Sequence, residues 1–290
     1  MVRRSTVRRA IPLALLLAFG AACHHRKELV EDNELLYERA REAIARRKFL
    51  QAIEMLGDVG LVAPVGEALD PLVKLALADA YFYQGGIVDI AEAQNRYEQF
   101  VSFYPNHPRA RYARFQAGVC KFRQAEDPEN DQEFARKALE HFEAMLSDLP
   151  EDDPWRFAAA AMLERAQDRL AEHEWLVARF YLRRGRDRGA VGRLEELVTR
   201  YPGSRRREQA LYELALAQRR LGHLEASRDA LRRLLADYPE GPLRSRAERL
   251  LEELEAEGAA ARNGSAGGGG GVARGDAGGR GFDRLPQPGE

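Results

Sequence analysis

Few residues in this chain have the types and spacing that chemistry needs. His173 is followed by Glu174, which begins like the helical zinc-peptidase motif. The residue four after His173 is Val177, so the second metal ligand is missing. His24 and His25 are adjacent near the N-terminus, where a solvated pair is a plainer reading than a metal contact. His141 and His223 have no cysteine or carboxylate cluster at ligand spacing. No GxSxG elbow, no glycine-rich phosphate loop and no isolated carboxylate in an apolar setting is legible, and Glu195 and Glu196 read as charged helix surface. The residues therefore ask for no catalytic group, cofactor or metal, and a superhelical enzyme such as a lytic transglycosylase is the least supported class. One side chain remains with a chemistry of its own, the thiol of Cys23.

What precedes Cys23 defines that chemistry. Arg3, Arg4, Arg8 and Arg9 lead into an apolar run from Ile11 to Phe19, too short to span a bilayer and laid out as a secretory signal. Gly20, Ala21 and Ala22 then abut Cys23. A small-residue cleavage site before a cysteine resembles the lipobox of bacterial lipoproteins, in which that cysteine becomes the lipidated first residue; Gly20 stands where Leu or Val is commoner. The rival reading is an ordinary signal peptide with an incidental cysteine, and a twin-arginine signal has no further support in the apolar run. Several acyl chains on Cys23 would hold the protein far more firmly than one myristoyl group. Cys120, flanked by Val119 and Phe122, is then a small apolar core residue with no disulfide partner.

The elements that follow are helical. Between Leu170 and Pro202, Leu176, Val177, Phe180 and Tyr181 share one helical face, and Val191, Leu194 and Val198 share another, with Leu197 alongside. Gly185 breaks the chain between them, and Tyr201-Pro202 ends the second helix, because proline lacks the N–H and disfavours helical geometry in the residue before it. The same pattern recurs when positions are counted back from each proline. The rows are Ala52, Leu56, Val59, Pro64; Ala93, Tyr97, Phe100, Pro105; Ala138, Phe142, Met145, Pro150; Ala190, Leu194, Leu197, Pro202; and Ser227, Leu231, Leu234, Pro239. In each, a small residue lets two helices approach, two apolar residues fill the space between them, and the proline ends the second helix. This is the tetratricopeptide (TPR) pattern, with an ideal repeat of about 34 residues.

The expected fold is all-α: an α-solenoid of about five TPR hairpins with a C-terminal capping helix. Residues 1–22 are the signal peptide and 23–32 a polar tether. Units one to three occupy 33–150, units four and five with the capping helix 151–257, and a Gly-rich disordered tail 258–290. Asp70 is expected to cap the helix that Pro71 opens. The acidic AEDPENDQE segment reads as a surface insertion, and Trp155 to Arg184 as one long helix or two. With 45 Lys and Arg against 46 Asp and Glu, the chain offers no dedicated nucleic-acid surface. Arg205 to Arg207 then read as a solvated face beside Glu195, Glu196 and Glu208.

With a lipobox and five repeat units in place, the chain resembles the BamD family of periplasmic lipoproteins. The most specific segments are YPNHPRARYARFQAG at Tyr104 to Gly118, LAEHEWLVARFYLRRG at Leu170 to Gly185, and the AVGRLEELVTRYP that follows. The resemblance implies a non-enzymatic scaffold of the outer-membrane β-barrel assembly machinery, lipid-anchored at the periplasmic face of a Gram-negative outer membrane. Its partners would be a BamA-like barrel protein, other lipoproteins of the complex and unfolded outer-membrane proteins. Carried over residue by residue, Arg193 would pair with a carboxylate of the partner, with Glu196 and Arg200 as further partner contacts. Gly192 replaces a polar residue common before that Arg, and LVAPVG stands where an aromatic-proline turn usually closes unit one. The alternative is a TPR scaffold of cell-envelope or peptidoglycan coordination, or of a secretion or export system.

The anchor is directly testable. Cys23→Ala is expected to move the protein from the membrane to the soluble fraction and to abolish labelling with a fatty acid; a variant that stays with membranes contradicts the lipobox reading.

Overall fold

The computed structural model describes residues 33–61, 64–125 and 127–266. The signal segment, the tether with Cys23, and the part of the tail beyond residue 266 lie outside them. Every regular element among the described residues is a helix: α1 (33–45), α2 (Phe49–Asp58), α3 (Asp70–Gln84), α4 (Ile87–Phe103), α5 (Ala110–Gln124), α6 (Glu133–Asp148), α7 (Pro154–Arg183), α8 (Asp187–Arg200), α9 (Arg207–Arg220), α10 (Leu224–Asp237) and α11 (Arg244–Ala266). The fold is all-α and of tetratricopeptide type. It forms two compact units, one ending at Ala210 and one beginning at Leu211, so the boundary falls within α9. Across residues 150 and 151, where the sequence divides units one to three from units four and five, one apolar cluster joins Phe142, Met145 and Leu149 of α6 and its end to Ala159, Met162 and Ala166 of α7.

In the first unit the proline-anchored register is the core. Ala52, Ala93, Ala138 and Ala190 are fully buried, as are Tyr97, Phe100, Phe142, Met145, Leu194 and Leu197. Only Val59 departs, half-buried just past the end of α2, where the helix stops short of Pro64. The close approach that the small residues permit shows best at Gly118 on α5. A Cβ there would stand 2.5 Å from His141 Cδ2 and 2.7 Å from Phe142 Cζ on α6. The turn between α7 and α8 uses Gly185 at φ +65°, and the turn between α1 and α2 asks the same left-handed backbone of Arg47, at φ +59°.

Helix α7 settles the open choice in favour of a single helix of 30 residues. Asp153 caps it by accepting the Trp155 N–H at 2.8 Å, and an Arg111 guanidinium 2.9 Å away holds that carboxylate. The buried stripe of its second half is Ala171, Glu174, Trp175 and Ala178, whereas Phe180 is exposed and Leu176 and Val177 are half-buried. The expected face was two positions off, because the small alanines and Trp175, rather than the branched residues, meet the neighbouring helices. Asp70 also departs from expectation. It is the first residue of α3 rather than its cap, and its carboxylate accepts from Lys74 Nζ at 2.6 Å and from the Tyr104 hydroxyl.

In the second unit Ser227, Leu231 and Leu234 are fully buried, and Ser227 Oγ donates to the Ala215 carbonyl across the hairpin at 2.7 Å. Helix α11 runs on through Gly258 to Ala266, past the point where the tail was expected to start. Gly258 does not end the helix. A Cβ there would collide with the Arg228 guanidinium, which crosses from α10 to donate to the Leu254 carbonyl.

Helices α3, α4 and α5 are also tied by a carboxylate that the sequence does not mark as isolated. Asp79 Oδ1 accepts the Tyr97 hydroxyl at 2.6 Å and the Tyr112 hydroxyl at 2.7 Å, and Gln116 Nε2 donates to Tyr112 at 3.1 Å. Burial lifts the Asp79 carboxyl above its ordinary 3.8, and the two hydroxyl donors oppose that only in part. Just above 3.8 the unfolded chain has lost a proton that the folded chain keeps, so wild type loses this stabilisation as pH rises through the raised value. Asp79→Asn has no such proton. Its unfolding free energy relative to wild type is expected to rise between about pH 4 and pH 7; denaturant titrations that give a gap independent of pH would contradict the buried-carboxylate reading.

Candidate functional site

The three residues expected to meet a partner lie on α8 at positions i, i+3 and i+7, so the helix period brings Arg193, Glu196 and Arg200 to one face. They do not stand alone. Glu174 of α7, only 8 % exposed, accepts a hydrogen bond from Arg193 Nη1 at 3.2 Å. The Arg193 side chain keeps 43 % of its surface exposed. Arg200 Nη1 donates to Glu196 Oε1 at 2.8 Å, a helical i, i+4 pair that with Tyr201 raises the arginine above its ordinary value. Glu174 acts electrostatically on Arg200 and on Tyr201 as well, so one buried carboxylate serves the whole face.

This geometry fixes a guanidinium without spending it. The bond to Glu174 uses Nη1 alone and leaves the Nε and Nη2 donors of Arg193 available for a second, external carboxylate. Because Glu174 holds the side chain in one place, less rotamer freedom is lost when such a partner arrives. Sequence reasoning missed Glu174 as a member of this site. Its signal was present in the buried position it shares with Ala171 and Ala178, but a glutamate amid charged neighbours does not announce burial.

The other candidate residues serve packing. His173 Nδ1 lies 2.6 Å from the Pro128 carbonyl, His141 Nε2 2.9 Å from the Arg114 carbonyl, and His223 Nδ1 2.8 Å from Gln218 Oε1. Burial, aided by Lys121, pushes the His141 imidazole below its ordinary value. Burial likewise pushes the Cys120 thiol up to about 12, which leaves it a packing residue. Among the described residues no group of three or more His, Cys, Asp or Glu side chains could hold a metal ion, and no helix is long and apolar enough to cross a membrane. Arg205 is solvated as expected, with 88 % of its side chain exposed, but it and the half-buried Arg206 find their carboxylates on α7. Arg205 Nε pairs with Asp168 at 2.9 Å and Arg206 Nε with Glu172 at 2.6 Å, both carboxylates on α7.

Comparisons with known proteins point to one family. Three curated relatives are each named outer membrane protein assembly factor BamD. The protein of Caulobacter vibrioides is 26% identical over 189 residues, 65% of this chain and 60% of its own length. The protein of Rickettsia prowazekii is 22% identical over 249 residues, 84% of this chain and 97% of its own. The protein of Vibrio cholerae is 28% identical over 226 residues, 74% of this chain and 91% of its own. Among solved structures, the TPR2AB-domain:pHSP90 complex of yeast Sti1 aligns over 81% of this chain and 94% of its own at 14% identity. Its TM-score of 0.37 is too low to carry an argument. The family described as YfiO, outer membrane lipoprotein, matches residues 30–234, a span that takes in the helices α1 to α9 and most of α10. On that match the chain belongs to the YfiO family of outer membrane lipoproteins, with the BamD proteins among its relatives.

Proposed function

We propose that this protein is a non-catalytic scaffold for the assembly of outer-membrane β-barrel proteins, held at the periplasmic face of the outer membrane by acylated Cys23. Its work is binding: helical surfaces receive partner proteins, and the contacts spread over several repeats. The named role of the relatives supports the assembly function, and the α8 face supports a docking role. The observation that carries the docking reading is the Arg193 guanidinium, fixed by a buried glutamate and still presenting free donors. In this reading Arg193, flanked by Glu196 and Arg200, meets a carboxylate on the periplasmic part of a BamA-like barrel protein. Arginine suits such a contact because its planar fork matches a carboxylate and its stem adds apolar area.

The intrachain pair shapes the test. Arg193→Glu would set two carboxylates together and cost the fold about 1–2 kcal/mol by itself, so the neutral variants are more informative. In detergent extracts Arg193→Gln is expected to lower recovery of the barrel partner roughly tenfold, while Glu174→Gln, which keeps the guanidinium, retains most of it. Equal losses in both variants, tracking a fall in melting temperature, would make Arg193 a purely structural residue.

A further inference from the structure

Away from the α8 face, a cleft of about 540 Å³ opens between α5, α7 and the connection from α8 to α9. Phe122 of α5 forms part of its wall, and two guanidiniums one helical turn apart on α7, Arg165 and Arg169, lie over the ring, each 5.2 Å from its centroid. Opposite them stand Arg205 and Arg206. Arg206 grips Glu172 through Nε at 2.6 Å and Nη2 at 2.9 Å, and Arg205 is held by Asp168. Among the described residues the lining is therefore four arginines against two carboxylates, and both of these carboxylates are already engaged by the far wall.

Arg165 is the unspent group. Among the described residues its only hydrogen-bond contact is Nη1 to the Met162 thioether at 3.4 Å, a weak acceptor, and no carboxylate lies within ion-pairing distance of it. The contact with the Phe122 ring occupies none of the Arg165 N–H donors, and a guanidinium with its donors free can take a carboxylate in bidentate fashion. The cleft is also built to stay open. The insertion after α5 is fastened to α7 by His173 on the Pro128 carbonyl at 2.6 Å and by Arg169 Nη1 on the Ala125 carbonyl at 3.2 Å.

We propose that this cleft is a binding site for an acidic polypeptide segment, with one of its carboxylates seated on Arg165. The volume exceeds what a lone small anion fills. The interleaved Asp168 and Glu172 would repel a polyphosphate but accept the amide N–H groups of a peptide. The site is distinct from the Arg193 face and does not depend on the docking reading.

Calorimetric titration of the full chain in detergent, at about 50 mM salt, decides it with three probes: an acetylated, amidated hexaglutamate, its hexaglutamine counterpart, and inorganic phosphate. The acidic peptide is expected to bind with a dissociation constant on the order of 10–100 μM, and the glutamine peptide to give no heat. Arg165→Gln should weaken binding roughly tenfold with an unchanged melt, since no ion pair is lost, whereas Arg183→Gln, at the exposed far end of α7, should leave it intact. No heat at about 1 mM peptide, equal weakening in both variants, equal binding of the glutamine peptide, or phosphate competing at parity with the peptide would each overturn the proposal.

Discussion

The structure depends on how near two helices can come. Packed helix axes lie about 8–10 Å apart, with the side chains at the contact setting the distance. Where one helix offers only a methyl or a hydrogen, large residues on either side of that point can interlock instead of propping the helices apart. Ala93, Ala138 and Ala190 are fully buried at this position, and the aromatic or aliphatic residues four and seven places on are fully buried with them. Gly118 meets Phe142 where no Cβ would fit. In the second unit Ser227 reaches the Ala215 backbone itself, which requires the same proximity. Interiors packed to crystal-like density do not tolerate an extra methylene at such points.

A second layer of constraint is polar. Asp79 joins three helices through two tyrosine hydroxyls, and Glu174 joins α7 to α8 through Arg193. A buried carboxylate is costly unless its lone pairs are satisfied. In both places the donors come from a different helix, so the polar group is satisfied only when the helices are correctly paired. The same arrangement prepares function, because a guanidinium anchored from behind is already in position for whatever meets it from outside.

The repeat register was legible because it recurs at fixed distances from a proline, and a recurring spacing of small and bulky residues has few other physical meanings. Polar positions were not legible to the same degree. Glu174 and Asp79 look like any surface acid in sequence, since their burial is decided by helices elsewhere in the chain. Arg205 and Arg206 find carboxylates 37 and 34 residues away, respectively, rather than beside them. Asp70 has the type and position of a cap, yet Lys74 and Tyr104 hold its carboxylate instead. Gly258 reads as a helix end, although it is the space that Arg228 needs. In each case a local rule yielded to a tertiary contact. The lipid anchor at Cys23 rests on the sequence pattern alone.

The central claim, that close approach at small residues organises the hairpins, is tested most directly by making one substitution in two helices. Gly118→Ala adds a methyl where His141 and Phe142 leave no room, and Gly192→Ala adds it where nothing lies within 4 Å. Alanine is the better helix former by roughly 0.5–1 kcal/mol, so thermal unfolding should show Gly192→Ala equal to or above wild type. Gly118→Ala should fall below it by about 1–3 kcal/mol. Two variants that melt alike, or a Gly118→Ala protein more stable than wild type, would contradict the account.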